Sequence, residues 1–314
     1  MKYQNYLLSA AILLLGACSS ENEPLVEKTN QLVKVSFNIK LEPEIISFGT
    51  KAMPGNLPSE PEAENSSTEN PTEEPSSSLF STVEYAVYDQ DLNLVKLQSI
   101  DVAEPNSLNI TDVFEAGIYT FCFLAHPFEQ VTAAGNILTF PEEMKECFYS
   151  SKEFEVVVGT DFNETITLDR IISKIEIVPR DKVSEKVKSY QITASGIYNS
   201  FDILNGYATE TTVPFSRTVS LSAEDYAAAQ GPSHHIFTFV PQTEPGTISS
   251  INLKALDESG DLLREKTITD APIYVNRITR YTGTLYNVSS DASFDFEVNT
   301  NWGIPIEEEI KEPE

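Results

Sequence analysis

The sequence predicts an all-β protein, with two β-sandwich domains in tandem. Three observations carry that expectation. Apolar residues alternate at period two in a long series of short segments, turn-forming residues separate those segments, and a helical period is nearly missing. A length of 314 residues suits two domains of ordinary size.

The chain opens with Lys2, an apolar run from Tyr6 to Leu15, and the small residues Gly16 and Ala17. Residues 1–17 therefore read as a signal peptide. The apolar run is about half of the roughly 20 residues that a membrane-spanning helix needs. Leu15-Gly16-Ala17-Cys18 resembles a bacterial lipobox, in which the cysteine is acylated and becomes the new N-terminus. Each buried CH2 of an acyl chain contributes about 0.8 kcal/mol, so several chains on Cys18 would hold the protein at a membrane. Residues 18–30 form an acidic tether. Its Ser19-Ser20-Glu21-Asn22-Glu23-Pro24 resembles signals that send lipoproteins to the cell surface, and equally serves as a spacer without a sorting role.

The N-terminal sandwich is predicted over 31–169. Its first strand runs through Val33, Val35, Phe37 and Ile39, with polar residues between them. Residues 52–78 hold Pro54, Pro58, Pro61, Pro71 and Pro75 and carry neither Lys nor Arg, so they are expected to form a disordered insertion. Strands follow at 83–88, 94–97, 118–124, 154–158 and 165–168. The C-terminal sandwich is predicted over 170–300, with strands at 171–178, 188–197, 213–221, 235–240, 249–256, 262–268, 280–288 and 293–298. Two stretches depart from the strand pattern, 141–147 and 222–230, and the second reads as a short capped helix. Tyr88–Lys96 aligns without gaps on Leu256–Arg264, strand to turn to strand. Either an internal duplication or the shared chemistry of polar hairpin turns accounts for this.

A formal charge of -27 argues against binding nucleic acid. Three His and three Cys leave little material for a metal or cofactor site, and none is expected. Asp89-Gln90-Asp91-Leu92-Asn93 opens like a calcium loop, but Leu94 and Ile100 stand where that loop needs its Gly and its bidentate Glu, so a hairpin turn is expected. His234 and His235 are neighbours on a strand and point to opposite faces. No G-x-S-x-G and no phosphate-binding glycine loop occurs. No catalytic residue is assigned, and the chain is not expected to be an enzyme. Cys122 and Cys147 support two readings, a disulfide closing a loop of about 25 residues or buried free thiols.

The segment 301–314 is an acidic C-terminal tail in which Ile304, Ile306 and Ile310 would share one face of an extended strand. Such a tail is suited to donation to another subunit's sheet; an intramolecular last strand with a frayed end is the other reading.

Taken together, the lipobox at Cys18, the hairpin Val87–Val95, the junction Leu168–Ile175 and the segment Asn276–Tyr286 resemble the fimbrillin group of Bacteroidales-type bacteria. Within it they are most similar to the FimB-like minor fimbrial anchor subunits. The resemblance implies two transthyretin-like sandwiches, a lipid anchor in the outer membrane, surface exposure, and fimbrial stalk subunits as partners joined by strand donation. In that group an arginine-specific protease strips the first strand from stalk subunits. Here the first arginine is Arg170, so a cut would destroy the N-terminal domain unless Lys40 or Lys51 replaced it, and an anchor that keeps its first strand is preferred. A glycan-binding surface lipoprotein is the alternative and would need exposed aromatic rings; a stalk or tip subunit is another.

Overall fold

The computed structural model describes residues 31–41, 79–102, 107–160 and 162–286, and the backbone of 295–299. The signal peptide, Cys18, the tether, the insertion at 52–78 and the tail with Ile304, Ile306 and Ile310 lie outside the described residues. Among those described, strand accounts for 63% and helix for 2%, so the chain is all-β.

The N-terminal lobe is built from β1 (Leu32–Leu41), β2 (Thr82–Asp89), β3 (Leu94–Asp101), β4 (Ser107–Glu115), β5 (Gly117–His126), a small hairpin of β6 (Thr132–Ala134) and β7 (Ile137–Thr139), β8 (Phe148–Val156) and β9 (Phe162–Arg170). Seven of these strands follow the order β3-β2-β5-β8-β9-β1-β4. Strand β9 pairs with β8 only through Tyr149–Asp169 and Phe148–Arg170. The sheet therefore turns over at that point into two facing layers. Alternation explains β1: Val33, Val35, Phe37, Ile39 and Leu41 all point into the core. Phe37 meets Phe121 and Phe123 of β5 and Tyr85 of β2 across the layers, at 4.8, 5.2 and 6.3 Å between ring centroids.

The C-terminal lobe contains β10 (Ile172–Pro179), β11 (Ser189–Ile197), β12 (Ser200–Asp202), β13 (Tyr207–Ala208), β14 (Val213–Ser220), helix α1 (Ala223–Ala227), β15 (His234–Phe239), β16 (Gly246–Leu256), β17 (Leu262–Ile273), β18 (Ile278–Gly283) and β19 (Asp295–Asn299). The sheet β15-β10-β18-β19 faces β14-β11-β16-β17 over a core rich in isoleucine. Helix α1 starts with a capping box, Ser222 and Asp225 bonding each other's backbone amides. The other departure from the strand pattern, 141–147, is irregular rather than helical.

The two lobes share one topology. In the first, β1 lies between antiparallel β4 and parallel β9, over β3-β2-β5-β8; in the second, β10 lies between antiparallel β15 and parallel β18, over β14-β11-β16-β17. This duplication is not the one read from Tyr88–Lys96 and Leu256–Arg264. Those segments are the β2–β3 and β16–β17 turns, whereas topology equates β2–β3 with β11–β14. Their likeness comes from turn chemistry. Asp89 Oδ1 accepts from the amides of Asp91 and Asn93, and Asp257 Oδ1 from those of Ser259 and Asp261. Each turn closes through a left-handed residue, Leu92 at φ 60° and Gly260 at φ 83°.

Each lobe also carries a hairpin insertion, and the two pair with each other. Strands β13-β12-β7-β6 form one sheet, joined through Ser200–Thr139, Phe201–Leu138 and Asp202–Ile137. Under it lies a third core in which Leu124, Phe140 and Cys147 of the first lobe meet Ile172, Phe201 and Phe239 of the second.

Candidate functional site: the first strand and a buried carboxylate-histidine pair

Strand β1 is held along both edges, from Leu32–Glu115 to Lys40–Ser107 against β4 and from Val35–Phe162 to Leu41–Leu168 against β9. From Lys34 to Lys40 its outer face is polar: Asn38 donates its side-chain amide to Asn109 Oδ1 at 2.8 Å, and Ser36 and Thr111 hydroxyls lie 3.4 Å apart. Its inner face supplies five apolar side chains to the core. Removing the strand would unpair β4 and β9 together and leave an apolar slot one strand wide. Arg170, the first arginine of the chain, lies at the end of β9 and is 3% exposed. Its guanidinium donates to Glu146 at 3.1 Å and sits 5.4 Å over the Phe148 ring. Burial lowers its pKa, and the Glu146 charge acts in the opposite direction.

A second feature lies where β2 starts and β5 finishes, a cleft of about 630 Å³ lined by Glu84, Ser99, Asp101, His126 and Glu129 among others. Glu84 and His126 are both buried. The Phe128 amide donates to His126 Nδ1 at 3.2 Å, which places the ring proton on Nε2, and Nε2–H donates to Glu84 Oε1 at 3.3 Å. The Ser99 hydroxyl donates to both Glu84 oxygens, at 2.7 and 2.8 Å. The carboxylate is thus at the centre of the trio, and both imidazole nitrogens are engaged. A serine nucleophile needs the histidine beside it with a free basic nitrogen; here the trio cross-links β2, β3 and β5. Sequence reasoning missed it, although Glu84 stood as the one acid inside the apolar run Val83–Tyr88.

Cys122 and Cys147 are buried free thiols. Cys122 is opposite Ser151, four residues along the strand from Cys147, a distance of roughly 13 Å at strand rise. Disulfides need Cα atoms within about 7 Å, so the bridge weighed from sequence is not formed. Burial pushes both thiols up in pKa. His234 and His235 do point to opposite faces: His234 is buried, with Nε2 2.6 Å from the Tyr286 hydroxyl, and His235 is exposed. Among the described residues no group of His, Cys, Asp and Glu is arranged to hold a metal ion, and no helix is long and apolar enough to cross a membrane. None of the described tyrosines is exposed.

A family model described as a family of unknown function (DUF6562) matches residues 112–312. No curated protein matches the chain. Among solved structures, a candidate polysaccharide binding protein (DUF1812) of Bacteroides thetaiotaomicron superposes with a TM-score of 0.50 at 12% identity, over 88% of this chain and 99% of that one. The tip fimbrial protein Mfa3 of Porphyromonas gingivalis gives a TM-score of 0.45 at 8% identity, over 85% of this chain and 99% of that one. A fimbrial assembly protein of Parabacteroides distasonis gives 0.42 at 10% identity, over 85% and 96%. The first of these likenesses is one of fold.

Proposed function

The chain belongs to DUF6562, a family of unknown function, and from its own residues we propose that it is a non-enzymatic fimbrial subunit of the cell surface. In this reading it is two transthyretin-like sandwich domains in tandem, held in the outer membrane by lipid on Cys18. It is the membrane-proximal anchor, and it joins stalk subunits by strand donation through the tail that bears Ile304, Ile306 and Ile310. The observation that carries the proposal is the placement of β1, bonded on both sides and filling its own slot. The only arginine-directed cut near it falls at Arg170, which is buried and ion-paired. A subunit that keeps its first strand has no open slot at the lipid end, as the first member of a polymer requires.

A glycan-binding lipoprotein is the second reading, favoured by the polysaccharide-binding description of the Bacteroides thetaiotaomicron structure. It lacks an exposed tyrosine platform among the described residues. Mass spectrometry of fimbriae purified from the native cell separates the readings. Acylated Cys18 together with intact peptides over Leu32–Leu41, in a single copy per fibre, is the expected result. An abundant chain trimmed of β1 would make it a stalk subunit, and absence from fibres would favour the glycan binder.

A further inference from the structure

The large apolar side chains that stay exposed are concentrated at one end of the molecule. Leu32 opens β1, Leu92 caps the β2–β3 turn, Ile118 starts β5, and Val157 and Val158 form the β8–β9 turn; their exposures run from 41 to 64%. Strand register places them together. Leu32 is opposite Glu115 at the end of β4, Ile118 is opposite Glu155 at the end of β8, and Tyr119 is opposite Asp89 where β2 finishes. Leu94, Val95 and Val113 are exposed on the adjoining strand ends. Elsewhere among the described residues only Leu262 and Val275 are comparably exposed, and the opposite end of the same lobe has none. Isolated apolar side chains on a surface are ordinary, but a concentration at one pole marks a contact.

The position of that pole in the chain identifies its occupant. Leu32 is where the polypeptide arrives from Cys18, and the 12 residues at 19–30 reach at most about 43 Å when fully extended. Strand β9 then carries the chain from this pole to the far one, about 30 Å away at strand rise. The apolar pole is therefore the part of the fold that a lipid on Cys18 holds nearest the bilayer. We propose that it is a second membrane contact, with Leu32, Leu92, Val157 and Val158 seated in the bilayer interface. This rests on the lipoprotein reading above. Among the described residues the acidic groups at the same pole, Asp89, Asp91, Glu115 and Glu155, outnumber Lys34 and Lys96, and they select a zwitterionic surface over an anionic one.

The test couples the mature chain through the Cys18 thiol to maleimide lipid in phosphatidylcholine vesicles, so it does not depend on native acylation. Trp302→Phe removes the single tryptophan, and Val158→Trp or Leu262→Trp supplies a probe at or away from the pole. Brominated phosphatidylcholine is expected to quench the position 158 probe about twofold and to leave the position 262 probe unchanged. Adding Leu92→Glu and Val157→Glu is expected to abolish the quenching, as is replacing half of the lipid with phosphatidylglycerol. An unquenched position 158 probe on the tethered chain overturns the proposal, as would sedimentation showing a dimer that Leu92→Glu dissociates, since a second copy would then cover the pole. Native Cys18 found unacylated beside a quenched probe would sink the lipoprotein reading and support the contact.

Discussion

The N-terminal lobe fills the space between its layers with rings. Phe37 alone has five aromatic neighbours, Tyr85, Phe121, Phe123, Phe154 and Phe162, all within 6.3 Å between centroids. The C-terminal lobe, on the same topology, fills the same space mainly with Ile175, Ile177, Ile192, Ile248 and Ile251; its buried rings are fewer, Phe215, Tyr281 and the packed group of Tyr190, His234 and Tyr286. Strand order is therefore indifferent to whether aromatic or β-branched side chains fill the interior, provided that alternation aims them inward. It also explains why the duplication cannot be read from residue identity. The strands that correspond carry different side chains, and the segments that look alike are turns.

The comparison is broken most severely by emptying one core. Phe37→Ala is expected to cost about 3–5 kcal/mol, with hydrogen exchange rising in β1, β4 and β9 while β10 and β18 stay protected. Equal loss of protection in both lobes would mean that the third core joins them into one cooperative unit. Ile177→Ala is the reciprocal change, expected to cost about 2–5 kcal/mol with exchange rising in β10 and β18.

Acid separates the lobes next. Burial first, then the Arg217 charge, lower the His234 pKa to about 4. An unfolded chain takes up that proton near pH 6.5, and the folded chain takes it up only near 4. Stability is therefore whole above pH 6.5 and falls by about 3 kcal/mol as pH drops towards 4. Denaturation series at several pH values should show that His234→Gln flattens this slope in the C-terminal lobe; an unchanged slope would assign it elsewhere.

A smaller effect is expected at Gly231, where a Cβ would collide with the Tyr286 ring. Gly231→Ala should destabilise the C-terminal lobe by about 1–3 kcal/mol, read as a lowered Tm. The smallest effect has the opposite sign. Leu92 occupies the left-handed position that Gly260 fills in the similar turn, so Leu92→Gly should stabilise the N-terminal lobe by about 0.5–1 kcal/mol. A lowered Tm would show that the exposed leucine contributes a contact of its own.

Much of this architecture was legible in the chain. Alternation located β1, β2, β5 and β9 within a residue or two at most ends. Strand β4 is hard to read because Asp112 breaks the alternating apolar series of Leu108, Ile110 and Phe114. The inter-lobe sheet was not legible at all, since strands of two or three residues carry no period, and their pairing is set by tertiary contact. The Glu84–His126 pair was equally hidden, because its partners are 42 residues apart.

The parallel pairing of β1 with β9 has a mechanical consequence. The chain comes into the N-terminal lobe at one pole through β1 and leaves at the other through β9. A pull between these two points runs along both strands and slides one past the other. The ladder bonds between them then resist in concert, and none can peel open ahead of the rest. Pulled at its two ends, the lobe is loaded in shear, the direction in which a sheet yields last.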